Sequence, residues 1–505
     1  MDILSNLAMG FEVALTWQNL FYCLLGVSLG MLIGVLPGVG HLAAISMLLP
    51  LTFYVPPTTA LVLLAGIYYG AQYGGSTASI LLNLPGTPAS AVVCLDGYPM
   101  AKEGRAGVAL FMTAIASFFG SIFAIVLLVA FAPPLAKVAL NFGAAEYFSM
   151  MVLGLVAASI LVQGSALKGI ASVLIGLVLG LVGTDVTSGM QRFTFDITYV
   201  YDGISIVALA MGIFGITEVI SNVGKVDSKG LSNQKISYRS LLPTGKDIKE
   251  SIMPMFRGSA LGSAVGILPG AGVSIASFMS YALEKRVSKH PEKFGKGAIE
   301  GITAPESANN ASAQSAFIPT LTLGIPGDAV MALMLGALLI HGIAPGPTII
   351  SETPEIFWGL VASFLIGNIL LLVLNIPLIG VWVSILKIPY TVLYPSIILF
   401  IAIGVYSINY SYFDIMLVAL FGFSGYMLYL LKFEPAPMLL GFILGPLIEE
   451  NFRRTLLISR GDLMFFIERP ISAAFLAITL LLIASTLFKA WQNNTRKQQQ
   501  PAEAP

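Results

Sequence analysis

Long apolar runs alternate with short polar or glycine-proline breaks along the whole chain. The runs at 108–131 and 357–386 exceed the roughly 18 consecutive apolar residues that mark a membrane-spanning helix. Further spans are predicted at 21–36, 42–55, 59–84, 144–161, 166–183, 204–220, 393–408, 412–431 and 473–489. The pattern predicts an all-α polytopic membrane protein with roughly 12 hydrophobic elements, some of them discontinuous or re-entrant. The 59–84 run is interrupted by Gln72-Tyr-Gly-Gly-Ser-Thr-Ala-Ser79 and then by Asn83-Leu-Pro-Gly-Thr-Pro88. The stretch 301–328 is a polar island between apolar segments and closes on Gly324, Pro326 and Gly327. No lipid-facing helix would choose that composition, and irregular backbone at membrane depth belongs where it is buried in protein or lines a wet cavity. Near the C-terminus, 437–446 reads as a short re-entrant or extra hairpin followed by a cytoplasmic interfacial segment with Arg453, Arg454, Arg460 and Arg469.

Composition supports the membrane reading. The 505 residues are 56% apolar and 10% charged, against about 25% charged in soluble domains. The formal net charge of zero and the lack of a basic stripe with aromatic interleaving give no reason to expect a nucleic-acid partner. Cys23 and Cys94 sit in apolar or glycine-rich surroundings, and two thiols do not make a disulfide framework. The N-terminus has no basic n-region or cleavage site and reads as part of the mature chain. No Lys or Arg precedes Lys102, so the positive-inside rule puts the N-terminus outside and the Lys102–Arg105 loop in the cytoplasm, with Lys137 the one exception. The polar, lysine-rich segment 221–257 reads as a cytoplasmic linker. It separates a first membrane half, 1–220, from a second, 258–491, and a polar tail, 492–505, is expected to be disordered.

The second half repeats the first. Gly34-Val-Leu-Pro-Gly-Val-Gly40 matches Gly266-Ile-Leu-Pro-Gly-Ala-Gly272, Leu84-Pro-Gly86 matches Ile325-Pro-Gly327, and Ala116-Ser-Phe118 matches Ala362-Ser-Phe364. The second members lie 232, 241 and 246 residues after the first (266 against 34, 325 against 84, 362 against 116). The offsets drift in order, as in a diverged duplication. Matching loops carry opposite charge signals. The Lys102–Arg105 loop corresponds to 342–355, which has Glu352 and Glu355 but no Lys or Arg. The uncharged turn at 54–57 corresponds to the basic loop 285–296. Two inverted-topology repeats require that reversal.

Paired breaks are where chemistry is expected. Pro and Gly end or kink a helix and free backbone groups. A half-helix starting inside the membrane offers N–H groups and partial positive charge to a carboxylate, and one ending there offers carbonyls to a cation. The candidates for substrate contact are therefore Pro37, Gly38, Gly40, Ser76, Thr77, Ser79, Asn83, Gly86, Thr87, Gly270, Gly272, Ser274, Asn309, Asn310, Ser312, Gln314, Ser315 and Gly327. Asn83, Asn310, Thr322 and Asp328 are the candidates for a coupling ion, and Thr320 belongs to the same polar set. Small residues also serve close helix packing, so each single Ser or Gly has a structural reading beside the functional one. Asp328 can cap the helix Ala329–Ile340 or couple an ion. Glu306 stands between a first-turn structural role and a functional one. His41 follows the first Pro-Gly motif and is placed either against substrate or structurally, and His290 lies in a basic loop. No HExxH, P-loop or nucleophile elbow is present, so no enzyme is expected.

At these motifs the sequence resembles the large membrane subunit of tripartite tricarboxylate transporters, the TctA type. The likeness is carried by 34–40, 73–88, the Asp96-Gly-Tyr-Pro-Met-Ala-Lys-Glu-Gly-Arg105 loop, 266–272, and Pro305-Glu-Ser-Ala-Asn-Asn310 through Pro326-Gly327, and it spans about residues 10 to 490. It implies a secondary transporter of the bacterial inner membrane that imports citrate-like tricarboxylates or related carboxylates by symport with sodium or protons. It also implies a small membrane subunit (TctB type) and a periplasmic substrate-binding protein (TctC type). No cofactor is implied beyond the coupling ion, and self-association stays open. The alternatives are a stand-alone carboxylate permease without a binding protein, and an intramembrane enzyme or assembly scaffold.

Overall fold

The computed structural model describes residues 3–36, 40–160, 165–185, 188–222, 241–270, 272–385 and 390–499. Pro37 and Gly38, about half of the expected linker (223–240) and the last residues of the tail therefore lie outside the described residues. In chain order the helices are α1 (Ile3–Ala14), α2 (Trp17–Val35), α3 (His41–Leu48), α4 (Pro57–Leu82), α5 (Cys94–Lys102), α6 (Ala106–Ala139), α7 (Ala144–Ile160) and α8 (Ala166–Gly180). Then come α9 (Ile206–Asn222), α10 (Gly245–Gly266), α11 (Gly272–Val287), α12 (Glu300–Ser315), α13 (Phe317–Leu323) and α14 (Ala329–Ile340). The chain ends with α15 (Pro354–Asn375), α16 (Ile379–Ile385), α17 (Tyr390–Asn409), α18 (Tyr412–Leu430), α19 (Ala436–Ile458) and α20 (Pro470–Gln499). One antiparallel pair, Gly183–Thr184 with Gln191–Arg192, interrupts the helical order.

Among the described residues, α2, α6, α15 and α18 are long and apolar enough to cross a membrane, and several shorter apolar helices accompany them. Three expectations are corrected. The 59–84 run is not interrupted at 72–79: α4 is continuous from Pro57 to Leu82 and breaks only at Asn83. The stretch 301–328 is not irregular throughout: α12 and α13 carry it as helix to Leu323, and the break follows at Gly324. The region 437–446 is the first part of one helix, α19, that runs through the basic stretch to Ile458. In the first case the glycines that looked like breakers are packing residues. Added Cβ atoms on Gly70 and Gly74 would press on the carbonyl oxygens of Val27 and Met31 in α2.

The chain forms two compact units. One comprises Met1–Leu140 and Ser205–Leu431, the other Asn141–Ile204 and Lys432–Pro505. In the first, α2 crosses α4 at backbone contact. Cβ atoms on Gly26, Gly30 and Gly34 would strike the carbonyls of Leu63, Ile67 and Ala71. The crossing of α10 on α12 has the same pattern, with Gly258, Gly262 and Gly266 against the carbonyls of Ala304, Ala308 and Ser312. Small residues in register allow such an approach, which brings dispersion contacts and main-chain dipoles together. In the second unit, Gly176 and Gly180 of α8 meet the carbonyls of Met438 and Phe442 in α19. Ion pairs staple that unit: Arg469 to Glu146 at 2.7 Å, Arg453 to Asp185 at 2.8 Å and Arg192 to Glu449 at 2.8 Å.

Polar loop segments are tied to one another in the first unit. Arg105 pairs with Asp247 at 2.6 Å. Asp96 is buried, and its Oδ1 accepts the N–H groups of Gly295, Gly297 and Ala298 at 2.8 Å each. Its Oδ2 accepts the Tyr281 hydroxyl at 2.9 Å. Asp247 also closes a capping box with Thr244 at the start of α10. Burial pushes the Asp247 carboxyl up, but the Thr244 N–H and hydroxyl and the Arg105 guanidinium outweigh it and hold the carboxyl below the usual aspartate range.

Two outcomes are expected. Gly262→Ala should lower the thermal midpoint of the purified protein, because the new Cβ meets the Ala308 backbone, at a cost of about 1–3 kcal/mol. Gly245→Ala in the same helix meets nothing within 4 Å and should leave the midpoint unchanged. A carboxyl whose folded pKa is depressed adds stability above its unfolded value and loses it as pH falls through the folded one. Asp247→Asn should therefore flatten the loss of stability on acidification below about pH 4, read by thermal melts across pH.

Candidate functional site

The sequence of α12, EGITAPESANNASAQS, is polar on average, yet every residue from Gly301 to Ser315 is buried. Alanine, glycine and serine keep it thin enough to be surrounded. The larger side chains Glu306, Asn310 and Gln314 recur every four residues and so form one stripe. The Glu306 carboxyl is the centre of the cluster. Its Oε1 accepts the Ser117 hydroxyl of α6 at 2.9 Å and the Asn310 side-chain N–H at 3.3 Å. Ser76 of α4 also borders the carboxyl, and no cationic side chain pairs with it among the described residues. Tyr73 of α4 lies beside Ser121 and Glu306 and donates to Asn368 Oδ1 of α15 at 2.9 Å. Helices α4, α6, α12 and α15 thus converge on one polar core.

That core is under-satisfied. Buried atoms that meet no hydrogen-bond geometry include Glu306 Oε2, Asn310 Oδ1, both amide atoms of Asn309 and of Gln314, and Gln72 Nε2; Ser76 Oγ, Ser121 Oγ and Tyr69 Oη also miss that geometry but lie beside Glu306, Tyr73 and Cys23. An unpaired buried polar group costs about 1–3 kcal/mol, and native folds carry few.

The two Pro-Gly breaks near the core share their geometry. Helix α4 ends on Asn83 in the left-handed region, φ 57°, and α13 ends on Gly324, φ 71°. Asn tolerates that conformation better than most residues, and Gly adopts it freely. After the first break Thr87 caps a short 3-10 helix, Pro88–Val93, by accepting from Ser90 N–H. After the second, Asp328 caps α14 by accepting from Met331 N–H at 2.9 Å. Gly86 packs on the Gly34 carbonyl, and Gly327 approaches the Gly266 carbonyl, where an added Cβ would lie 3.2 Å away. Gly270 donates its N–H to Gly327 O at 2.7 Å, joining two of the breaks. The new helix starts are thus capped by the chain's own side chains. Asp328 Oδ2 also accepts the Tyr68 hydroxyl at 2.7 Å.

The remaining expected residues divide by environment. Thr77, Ser79, Ser312, Ser315, Thr320 and Thr322 are buried. Ser79, Thr320 and Thr322 back-bond to their own helix at i−4, and Ser315 to Ser312 O. Asn83 is exposed, and Ser274 is half-buried in the first turn of α11. Gly40 precedes α3, with the Glu218 carboxyl beside it. His41 is buried, its ring centroid 5.8 Å from that of Tyr68, and its Nδ1 lacks a partner. His290 makes only an exposed pair with Glu292. Sequence reasoning did not include Tyr68, Tyr73, Ser117, Ser121 or Asn368. The tyrosines counted as apolar, and Ser117 served only as a repeat marker in Ala116-Ser-Phe118. The four-residue spacing of Glu306, Asn310 and Gln314 was the available signal.

The signature of the tripartite tricarboxylate transporter TctA family matches residues 20–440. An Agrobacterium vitis protein described as an uncharacterized 52.8 kDa protein in the TAR-I ttuC' 3'region is 50% identical over 497 residues, 98% of this chain and 99% of the relative. A second from the same organism, described as an uncharacterized protein in the TAR-II ttuC' 3'region, is 54% identical over 226 residues, 45% of this chain and 93% of the relative. No solved structure matches.

The capping geometry makes a stability prediction. Asp328→Ala should cost about 1–2 kcal/mol, because the first turn of α14 and the Tyr68 hydroxyl both lose a partner. Asp328→Asn keeps an acceptor for Met331 N–H and should lose less, which thermal melts of the two variants will read.

Proposed function

Because the chain belongs to the tripartite tricarboxylate transporter TctA family, and is thereby a membrane permease component and not an enzyme, we propose that it imports a citrate-like or related carboxylate in symport with sodium or protons. It works with a small membrane subunit and a periplasmic binding protein in the bacterial inner membrane. The carrying observation is the buried, under-satisfied polar core on α4, α6 and α12, beside the two matched breaks.

Duplication of the two halves with inverted topology supplies the frame for this reading. The offsets of the sequence motifs recur in the contacts. The α10 glycines follow the α2 glycines by 232 residues (258 against 26), and the carbonyls they meet on α12 follow those on α4 by 241 (304 against 63). Asn83 and Gly324, then Thr87 and Asp328, are likewise 241 apart. Asn309 and Gln314 hold donors and acceptors with no protein partner, so they are the first choice for binding the carboxylate, with Ser76 and the break backbone at 83–88 and 324–328 around them. The remaining positions of the set, from Gly40, Thr77, Ser79 and Thr87 to Gly270, Gly272, Ser274, Ser312 and Ser315, shape the surroundings. The coupling ion is sought among Asn83, Asn310, Thr322 and Asp328. Alternating access then follows from motion of one bundle against another.

Proteoliposomes holding the chain and its small subunit should take up labelled citrate or another carboxylate only with an added binding protein and a cation gradient. Uptake without any binding protein would sink the tripartite dependence. Asn309→Ala or Gln314→Ala should cut uptake about 10- to 100-fold, the loss of one or two hydrogen bonds to a charged ligand.

A further inference from the structure

Helix α12 begins without a cap of its own, since the side chain of Ile299 before it accepts nothing from the first turn. The segment leading into it finds a partner elsewhere in the chain. Gly295 and Gly297 adopt the left-handed region, φ 85° and 98°, which glycine reaches without strain. That backbone turns the N–H groups of Gly295, Gly297 and Ala298 toward one point, as in an anion-binding nest. The occupant is Asp96 of α5, wholly buried, whose Oδ1 accepts all three at 2.8 Å. Its Oδ2 accepts the Tyr281 hydroxyl of α11 at 2.9 Å, and a Cβ on Gly301 would collide with that oxygen. Burying a carboxyl is costly unless donors surround it, and here four do. On its other side α5 follows the first break. The Ser79 hydroxyl of α4 donates to Ser90 O at 2.9 Å, and the Thr87 hydroxyl donates to Gln72 Oε1 at 3.4 Å. One side chain thereby joins the break segment and α11 to the head of α12.

The sideways contacts of α12 are of another kind. Gly120 of α6 and Gly258 of α10 bring their helices onto the carbonyls of Ser307 and Ala304. Such packing has little direction, and it sets how far apart two helices lie more than how each is slid or turned about its axis. Directional hydrogen bonds at the head of α12 set that. Glu306, Asn310 and Gln314 follow on the same rigid helix, so the register at 298–301 is inherited by their stripe. We propose that Asp96 is the positioning residue of the polar core: from the first break it fixes the head of α12, and through it where Glu306, Asn310 and Gln314 present their atoms. Its consequence for transport rests on the reading of function above. The position 241 residues after Asp96 is Ala337, which has no side-chain acceptor to offer, so the brace has no copy at the matching place.

Hydrogen exchange of the full-length protein in lipid nanodiscs, read by mass spectrometry, tests the brace without any substrate. Asp96→Ala should speed exchange across 295–303 about 10- to 100-fold, the loss of hydrogen bonds to a carboxylate, while α14 keeps its wild-type rate. Asp96→Asn should restore protection to within about threefold, because its Oδ1 still accepts the three N–H groups and its Nδ2 can donate to the Tyr281 oxygen. Gly301→Ala keeps Asp96 but displaces its Oδ2. It should speed exchange about tenfold, and it carries the test if Asp96→Ala does not yield folded protein. Unchanged protection at 295–303 in folded Asp96→Ala, or in Gly301→Ala where that variant carries the test, overturns the brace. An equal loss in α14 overturns it too, since Asp96 would then support the whole fold and position nothing in particular. So does a folded Asp96→Asn that exchanges as fast as Asp96→Ala. In the complete transport system Asp96→Ala should raise the KM for labelled citrate about tenfold with a smaller change in Vmax, and Asp96→Asn should recover it. An unchanged KM in a variant whose α12 exchanges faster overturns the link from Asp96 to the polar core. The reading of function fails separately: a wild-type system that takes up no carboxylate removes it and leaves the exchange rates to decide the brace.

Discussion

A helix carrying Glu306, Asn309, Asn310 and Gln314 can be buried on all sides only if its neighbours answer its polar atoms. This constraint governs the first unit. The neighbours must come close, which is why α10 presents Gly258, Gly262 and Gly266 to the backbone of α12. They must also bring hydroxyls, which α6 does through Ser117. Main-chain groups are satisfied within the helix itself, so every remaining demand falls on side chains. The demand is met for Glu306 Oε1 and unmet for Oε2, Asn309 and Gln314.

Placement of the breaks follows from the same need. A continuous helix through Gly324 would keep its backbone sealed. The left-handed residues Asn83 and Gly324 end α4 and α13, and the chain turns back on Gly86 and Gly327, where a side chain would collide with or crowd the carbonyls of Gly34 and Gly266. Glycine at 86 is therefore a requirement of space more than of backbone conformation. Thr87 and Asp328 then restart the helix by capping it. Bare helix N-termini were the expected anion donors, but the caps already engage part of each first turn. Inside the bundle, by contrast, the amide side chains of Asn309 and Gln314 keep unpartnered atoms.

Much of this was legible in the residues. The apolar runs placed most helices to within a few positions, because a membrane-spanning segment must be continuous and apolar. The polar island at 301–328 stood out among apolar segments, and the structure buries its helical part from Gly301 to Ser315. What failed was reading glycine as a breaker in Gln72–Ser79. Gly70, Gly74 and Gly75 sit inside a regular helix, and whether a glycine breaks a helix or admits a neighbour depends on a partner, α2, that sequence order does not reveal. Tyr73 and Ser117 were illegible for a related reason. Their roles come from the carboxyl and amides that tertiary packing sets beside them.

Positions 241 residues apart along the chain differ in chemistry, and that difference decides what each contributes to the polar core. Across the 241-residue offset Thr87 stands for Asp328, Ala65 for Glu306, Tyr69 for Asn310 and Tyr73 for Gln314. Two equal sites would place two carboxylates and four amides near one another, with mutual repulsion and twice the desolvation cost. Tyrosines instead give the first half apolar bulk and a hydroxyl tip. Those tips reach into the other half: Tyr68 to Asp328 and Tyr73 to Asn368. Helix α4 thus contributes shape and donors to a polar core whose charge resides on α12. The contacts of α4 with α12 and α15 hold the polar groups of that core in register. A change in how those helices pack would alter those groups together.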